Sequence, residues 1–249
     1  RMSRMMRTGT TTLEGKSGYG LETETELKML RVLHRADAVH PLTVVSTFCG
    51  AHAVPAGKTS LEATRDVVDV QLPAVLRERD AGLNSVKAID VFCETGVFSH
   101  EESFEILDAG RAAGLRLNFH GDELSCTNSG ELAGKVGAHA VAHLEHVTPE
   151  GIAAMAAVDC FGVLLPSTAY VLRIAPPPAR ALIDGNVPVA LGSDFCPNAH
   201  MMSMPHTMNL AHDGGGGTCG RYHQLRREPR HQRCVWIAGG GKMGRRCGA

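Results

Sequence analysis

Asn118-Phe119-His120-Gly121-Asp122-Glu123 closes an apolar run that begins at Leu115. A run this short, ended by Gly and Asp, reads as a buried strand with a histidine at its C-terminal end and a carboxylate just beyond. The same arrangement recurs twice. Val141-Ala142-His143-Leu144-Glu145-His146 ends one later run, and Ala190-Leu191-Gly192-Ser193-Asp194-Phe195 ends another.

Working outward, seven such runs alternate with helical patterns: Thr10–Glu14, Leu42–Phe48, Val86–Phe92, Leu115–Phe119, Ala140–Leu144, Cys160–Leu165 and Val187–Leu191. The intervening segments place apolar residues three and four apart, as at Leu27, Leu30 and Leu33, which is the spacing of one helix face. Thr23 with Glu26, Thr59 with Glu62 and Ser99 with Glu102 fit capping boxes, and Thr148-Pro149 offers an N-cap followed by proline. Gly82, Gly114 and Gly185 mark helix stops where glycine can turn left-handed.

Repeated strand–helix units predict a parallel sheet, because each return to the same edge needs a crossover. Two architectures remain, an open doubly wound sheet or a (β/α)8 TIM barrel lacking one strand. Polar residues gathered at the C-terminal ends of several strands favour the barrel, whose strand ends converge on one mouth.

Composition sets bounds on the rest. The 249 residues suit one α/β barrel domain, with 43% hydrophobic and 20% charged residues. A net charge of -1 argues against a nucleic-acid or anionic-membrane partner. No run of about 18 apolar residues predicts a transmembrane helix, and the basic start Arg1–Arg7 leads into no apolar stretch, so it is not read as a signal peptide. Arg1 in place of Met suggests a sequence that starts mid-gene or after processing. Cys49, Cys93 and Cys160 lie in the apolar runs and are read as reduced, hydrophobe-like thiols. Residues 212–249 are rich in Gly and Arg and poor in apolar positions. They are read as an aberrant or disordered tail to a 1–211 barrel.

Each candidate residue has a plain reading beside the chemical one. His120 and Glu123 suit a Zn or Fe ligand and a carboxylate that takes a proton from water; alone they fit a satisfied polar pair equally well. His143 is expected to face the mouth, His146 to be solvated in the following loop, and His139 to sit at the far end without chemistry. Asp194 directly follows a buried strand, so it must be paired, coordinated or used as a helix cap. Taken jointly, imidazoles at the fourth and fifth strand ends and a carboxylate at the seventh match a metal-hydrolase barrel.

With one strand absent in front, those ends become five, six and eight, a register similar to the amidohydrolase superfamily. More specifically, the chain resembles the imidazolonepropionase family from about Arg1 to Leu210. The stretches that carry the resemblance are Lys16-Ser17-Gly18-Tyr19-Gly20-Leu21, Gly50-Ala51-His52-Ala53-Val54-Pro55, Phe92-Cys93-Glu94, Phe119-His120 through Glu123, Leu165-Pro166-Ser167-Thr168-Ala169-Tyr170 and Pro188 through Phe195. The resemblance implies a cytoplasmic hydrolase that opens 4-imidazolone-5-propanoate to N-formimidoyl-L-glutamate in histidine degradation. It implies His120 and Asp194 as ligands of one Zn or Fe ion, and Glu123 as general acid/base and substrate contact. It further implies His143 positioning the attacking hydroxide and Tyr19 and His52 binding substrate. Homodimers occur in this family; the sequence itself does not set the assembly.

The sequence departs from the family in three places. No His-x-His pair precedes Thr10, Cys196 stands where the family has Asn, and the likeness ends near Leu210. The expectation is therefore a chain without the first barrel strand and without the family's β-sandwich, unstable or inactive by itself. A truncated non-catalytic product and a related amidohydrolase or deaminase are the competing readings.

Overall fold

The computed structural model describes residues 1–213; nearly all of the 212–249 segment lies outside the described residues. Seven strands form one parallel sheet in chain order: β1 (Thr12–Lys16), β2 (Thr43–Ala51), β3 (Val86–Cys93), β4 (Arg116–Gly121), β5 (Ala140–His143), β6 (Phe161–Leu164) and β7 (Val189–Leu191). Every expected run overlaps its strand, although β1, β2, β3 and β4 each continue past the expected C-terminal end. A doubly wound sheet reverses its strand order at a switch point; this one never does.

Side chains reveal the curl. Asn118 Nδ2 on β4 donates to Glu14 Oε1 on β1 at 3.2 Å, and Lys16 on β1 bonds Asp90 on β3. In a flat sheet, three strand spacings would hold β1 and β4 about 14 Å apart. The sheet therefore bends into a barrel arc with Glu14, Lys16, Asp90, Asn118 and His120 on its concave face. Beyond the last strand, Thr8 Oγ1 donates to the carbonyl of Met202 at 2.9 Å. That contact sets the first helix, α1 (Met2–Arg7), against the segment following β7. Among the described residues, β1 and β7 each pair with a single strand.

Helices α2 (Thr23–Val39), α3 (Ser60–Asp66), α4 (Leu72–Asp80), α5 (His100–Ala112), α6 (Ser129–Val136), α7 (Pro149–Ala157), α8 (Pro166–Leu172), α9 (Ala179–Asp184) and α10 (Met204–Asp213) complete the element order, with a π-helical turn at Val67–Gln71 joining α3 to α4. The Thr59–Glu62 and Ser99–Glu102 capping boxes form, and Thr148 caps α7. Two expectations need correction. Thr23 caps nothing; Glu22 is the N-cap of α2, and the carboxylate of Glu26 is used elsewhere. Gly185 has φ −81 at the end of α9, and Asn186 takes the left-handed turn with φ 64. Asparagine tolerates that region because its side chain can bond locally.

On β4, Leu117 and Phe119 face the helices and are buried, while Asn118 and His120 point inward, as the two-residue period of a strand requires. The outer layer is close-packed. Gly130 on α6 lies against Gly151 on α7 so tightly that a Cβ would meet the Gly151 backbone at 2.6 Å. Buried Cys49, Cys93 and Cys160 are free thiols.

Candidate active site

The strand ends on one side of the sheet carry every candidate residue. Tyr19 follows β1, His52 follows β2, His120 lies on β4 with Glu123 just after it, His143 ends β5, and Asp194 follows β7. The rings converge: Tyr19–His52 centroids are 5.0 Å apart, His52–His120 5.8 Å and His120–His143 5.4 Å. Phe92, at the end of β3, packs edge-on to His120 at 5.7 Å.

His120 is held from behind. Its Nδ1 lies 2.6 Å from Asp90 Oδ1, and Lys16 bonds the other oxygen of Asp90. Burial alone would raise Asp90, but His120 and Lys16 outweigh it and hold the carboxyl well below the usual range. Burial likewise pulls His120 down, and Asp90 more than restores it. A carboxylate on one ring nitrogen fixes the imidazole and leaves Nε2 as the atom available to a metal, the usual support of a ligating histidine.

Cys49, Asp90 and His120 offer ligand atoms within 4.8 Å of one another. This cluster is a poor cation site. The Lys16 ammonium already occupies Asp90, and desolvation pushes the Cys49 thiol well up, where it stays protonated and ligates weakly. The cluster supports His120 and does not itself suit a metal.

His143 reaches the mouth by strained backbone. Register pairs Gly121 with His143, and Gly121 abuts Ser129 on α6, so simple alternation would point His143 outward. Left-handed φ values at His143 (79) and Leu144 (71) exchange the two faces. The imidazole turns inward and Leu144 enters the helix-side core. Such backbone costs on the order of 1–3 kcal/mol per residue and gathers at functional sites. Asp122 (φ 52) and Asp194 (φ 43) share this feature at neighbouring strand ends.

The imidazole of His143 lies between two carboxylates, Nε2 at 3.3 Å from Glu123 Oε2 and Nδ1 at 3.9 Å from Glu145 Oε2. Burial, then His120, push His143 well below the ordinary histidine value. Burial raises Glu123 to about 7, with His120 opposing and Asp194 and Glu94 assisting. That places a proton acceptor and donor near neutrality, where acid–base catalysis works best. Asp194 accepts from Thr168 Oγ1, and its charge is felt by Tyr19, His52, His120, Glu123 and Glu145. It is not part of the compact Cys49–Asp90–His120 group.

Several site residues escaped the sequence reading. Asp90 is flanked on both sides by apolar residues in β3, from Ala88 to Cys93, and a carboxylate inside such a run is the available signal. Glu94 receives the amides of Thr95 and Leu124 at 2.8 Å and bonds Ser125, fixing the loop that bears Glu123. Glu26 accepts from the amides of Gly18 at 2.9 Å, Gly20 at 2.8 Å and Leu21 at 3.0 Å, shaping the loop of the exposed Tyr19. Glu145 was read only as part of the loop motif, without a role.

No family model matches the chain. Proteins named probable imidazolonepropionase are similar to it at 53% identity in Nematostella vectensis, covering 85% of this chain and 49% of that protein. The corresponding figures are 56%, 84% and 50% in Dictyostelium discoideum, and 51%, 85% and 50% in Homo sapiens. The chain spans about half the length of the curated relatives it matches. Among solved structures, a guanine deaminase from C. acetobutylicum with bound guanine aligns at TM-score 0.67 and 15% identity, over 91% of this chain and 55% of that one. A Zn-bound amidohydrolase from Burkhoderia ambifaria aligns at 0.63 and 15%, over 89% and 64%. A 5-methylcytosine deaminase from Klebsiella pneumoniae aligns at 0.65 and 9%, over 91% and 58%. At these identities the likeness establishes the barrel fold.

Proposed function

We propose that this chain, a homologue of proteins named probable imidazolonepropionase across 211 of its residues, carries the β1-to-β7 part of a metal-dependent cyclic-amide hydrolase site. Its reaction is the ring opening of 4-imidazolone-5-propanoate to N-formimidoyl-L-glutamate, in the cytoplasm. Among the described residues, no helix is long and apolar enough to cross a membrane. Residues 1–211 form the barrel unit in this reading.

The donor set fits a divalent metal, Zn or Fe: an imidazole nitrogen already oriented by Asp90 and a carboxylate at Asp194. His120 and Asp194 would hold it. When bound, the metal lowers the pKa of water to about 7 and polarises the amide carbonyl. Glu123 takes the proton of the attacking water, since its own pKa lies near 7. It then returns that proton to the ring nitrogen that leaves, so acid and base are one residue. Buried and held neutral, His143 helps position the nucleophile through Glu123, whose Oε2 lies 3.3 Å from its Nε2. Tyr19 and His52 flank the opening and hold the substrate ring.

The observation that carries this reading is the convergence of His120, Glu123 and His143 within one buried cluster under the charge of Asp194. Ring opening by the purified chain, supplied with Zn²⁺ or Fe²⁺ and assayed beside a panel of cyclic amidines and aminopurines, tests it. Imidazolone turnover lost in Glu123→Gln supports the reading. Turnover confined to aminopurines, or metal binding that does not depend on His120 and Asp194, overturns it.

A further inference from the structure

Glu145 is the buried titratable group that this mechanism leaves unused. Its side chain is 1% exposed, and neither carboxyl oxygen has a hydrogen-bond partner beyond a contact with its own backbone amide. The Nδ1 of His143 is equally unpartnered, 3.9 Å away. Two orphaned polar groups facing each other in a dry site are costly apart and complementary together. The terminal torsion of a glutamate is soft, so closing the gap to hydrogen-bond distance needs little adjustment.

We propose that Glu145 is a positioning residue for His143: its neutral carboxyl donates a hydrogen bond to Nδ1 and so fixes the imidazole as the Nε2–H tautomer aimed at Glu123. The charge state follows from the surroundings. Glu145 shares the pocket with Glu123 from the loop after β4 and Asp194 from the loop after β7; the cations facing His143 are His120 on β4 and Lys16 on β1, the latter neutralised by Asp90 on β3. A third carboxylate, desolvated and with no donor beyond its own backbone amide, is held protonated, consistent with a pKa raised to about 8 by burial, which its own amide opposes and Glu123 and Asp194 assist. A carboxylic acid presents its proton to a lone pair, so Nδ1 must be the acceptor. The hydrogen of the neutral ring then sits on Nε2, the nitrogen 3.3 Å from Glu123. In the proposed reaction this delivers an ionised Glu123 with a donor at its back. Without Glu145, either ring nitrogen could carry the hydrogen.

The inference rests on the proposed function for its purpose, but its test does not use turnover. Long-range ¹H–¹⁵N spectra of the histidine-labelled full chain at pH 6.5 report the tautomer, the His143 signals being assigned by their loss in His143→Gln. In the native chain the Nε2–H form should dominate about tenfold, the ratio one buried hydrogen bond supplies. Glu145→Gln, whose amide N–H can replace the acid proton, should keep that form. Glu145→Leu should lose the preference. A native Nδ1–H tautomer, or no change in Glu145→Leu, overturns the proposal. Should the leucine variant fail to fold, the native spectrum and Glu145→Gln still decide it. Absence of imidazolone turnover beside an intact Nε2–H tautomer would count against the proposed function and not against this hydrogen bond.

Discussion

Asp90 Oδ1 lies 2.6 Å from His120 Nδ1 while its other oxygen bonds Lys16. One buried carboxylate thus serves an imidazole at the site and an ammonium behind it. Removing such a support from a metal-binding histidine lowers metal affinity about 10- to 100-fold. Asp90→Asn should show that loss in a Zn²⁺ competition titration. Asp90→Ala should also lower stability by about 1–3 kcal/mol, because His120 Nδ1 is left buried without its partner while Lys16 keeps Glu14; urea unfolding measures it.

Glu145 predicts a pH dependence of stability. Its folded pKa, about 8, stands above the ordinary 4.5. A group raised in this way contributes its stability fully below the unfolded value, and the contribution fades as pH rises through the folded one. The stability of the native chain relative to Glu145→Gln should therefore fall between about pH 4.5 and 8 and level off beyond. The ceiling is about 5 kcal/mol. Chemical denaturation at pH 5, 7 and 9 gives the curve; a flat difference contradicts it.

The loop of Tyr19 depends on Glu26, which is fully buried and binds three amides. Hydrogen bonds to charged groups contribute roughly 1.5–3 kcal/mol each. Glu26→Ala should cost at least about 3 kcal/mol and open the Lys16–Leu21 segment to proteolysis, read by mass spectrometry of the first cleavage products.

Caps separate real from apparent signals. Thr59→Ala and Ser99→Ala should each cost about 1 kcal/mol, because their side chains accept the amides of Glu62 and Glu102. Thr23→Ala should change stability by under about 0.5 kcal/mol. Gly130→Ala, by contrast, forces a methyl into the Gly151 backbone and should cost about 1–3 kcal/mol. Thermal and urea midpoints check all four.

Much of the fold was legible because its signals are local. Runs such as Leu115–Phe119 are short, apolar and ended by turn residues, and periodicity alone places them. The capping pattern at Thr23 misled because Glu26 has a stronger use three-dimensionally, accepting amides from the preceding loop; one sequence offers no view of that competition. The site was legible where chemistry stood at a strand end, as at His120 and His143. Asp90, Lys16 and Glu94 act through neighbours on other strands, and their roles exist only once β1, β3 and β4 curl together. The outward register of His143, and the left-handed backbone that reverses it, were invisible for the same reason: alternation predicts a face, not an exception to it.

The central claim is that His120 and Asp194 bind one ion. Anomalous scattering from crystals of the chain soaked in Zn²⁺ measures this directly. The account predicts one peak at the mouth, about 2.0–2.2 Å from both His120 Nε2 and an Asp194 oxygen, and lost in Asp194→Ala. A peak bonded to Cys49 and Asp90, or none touching both His120 and Asp194, would contradict it.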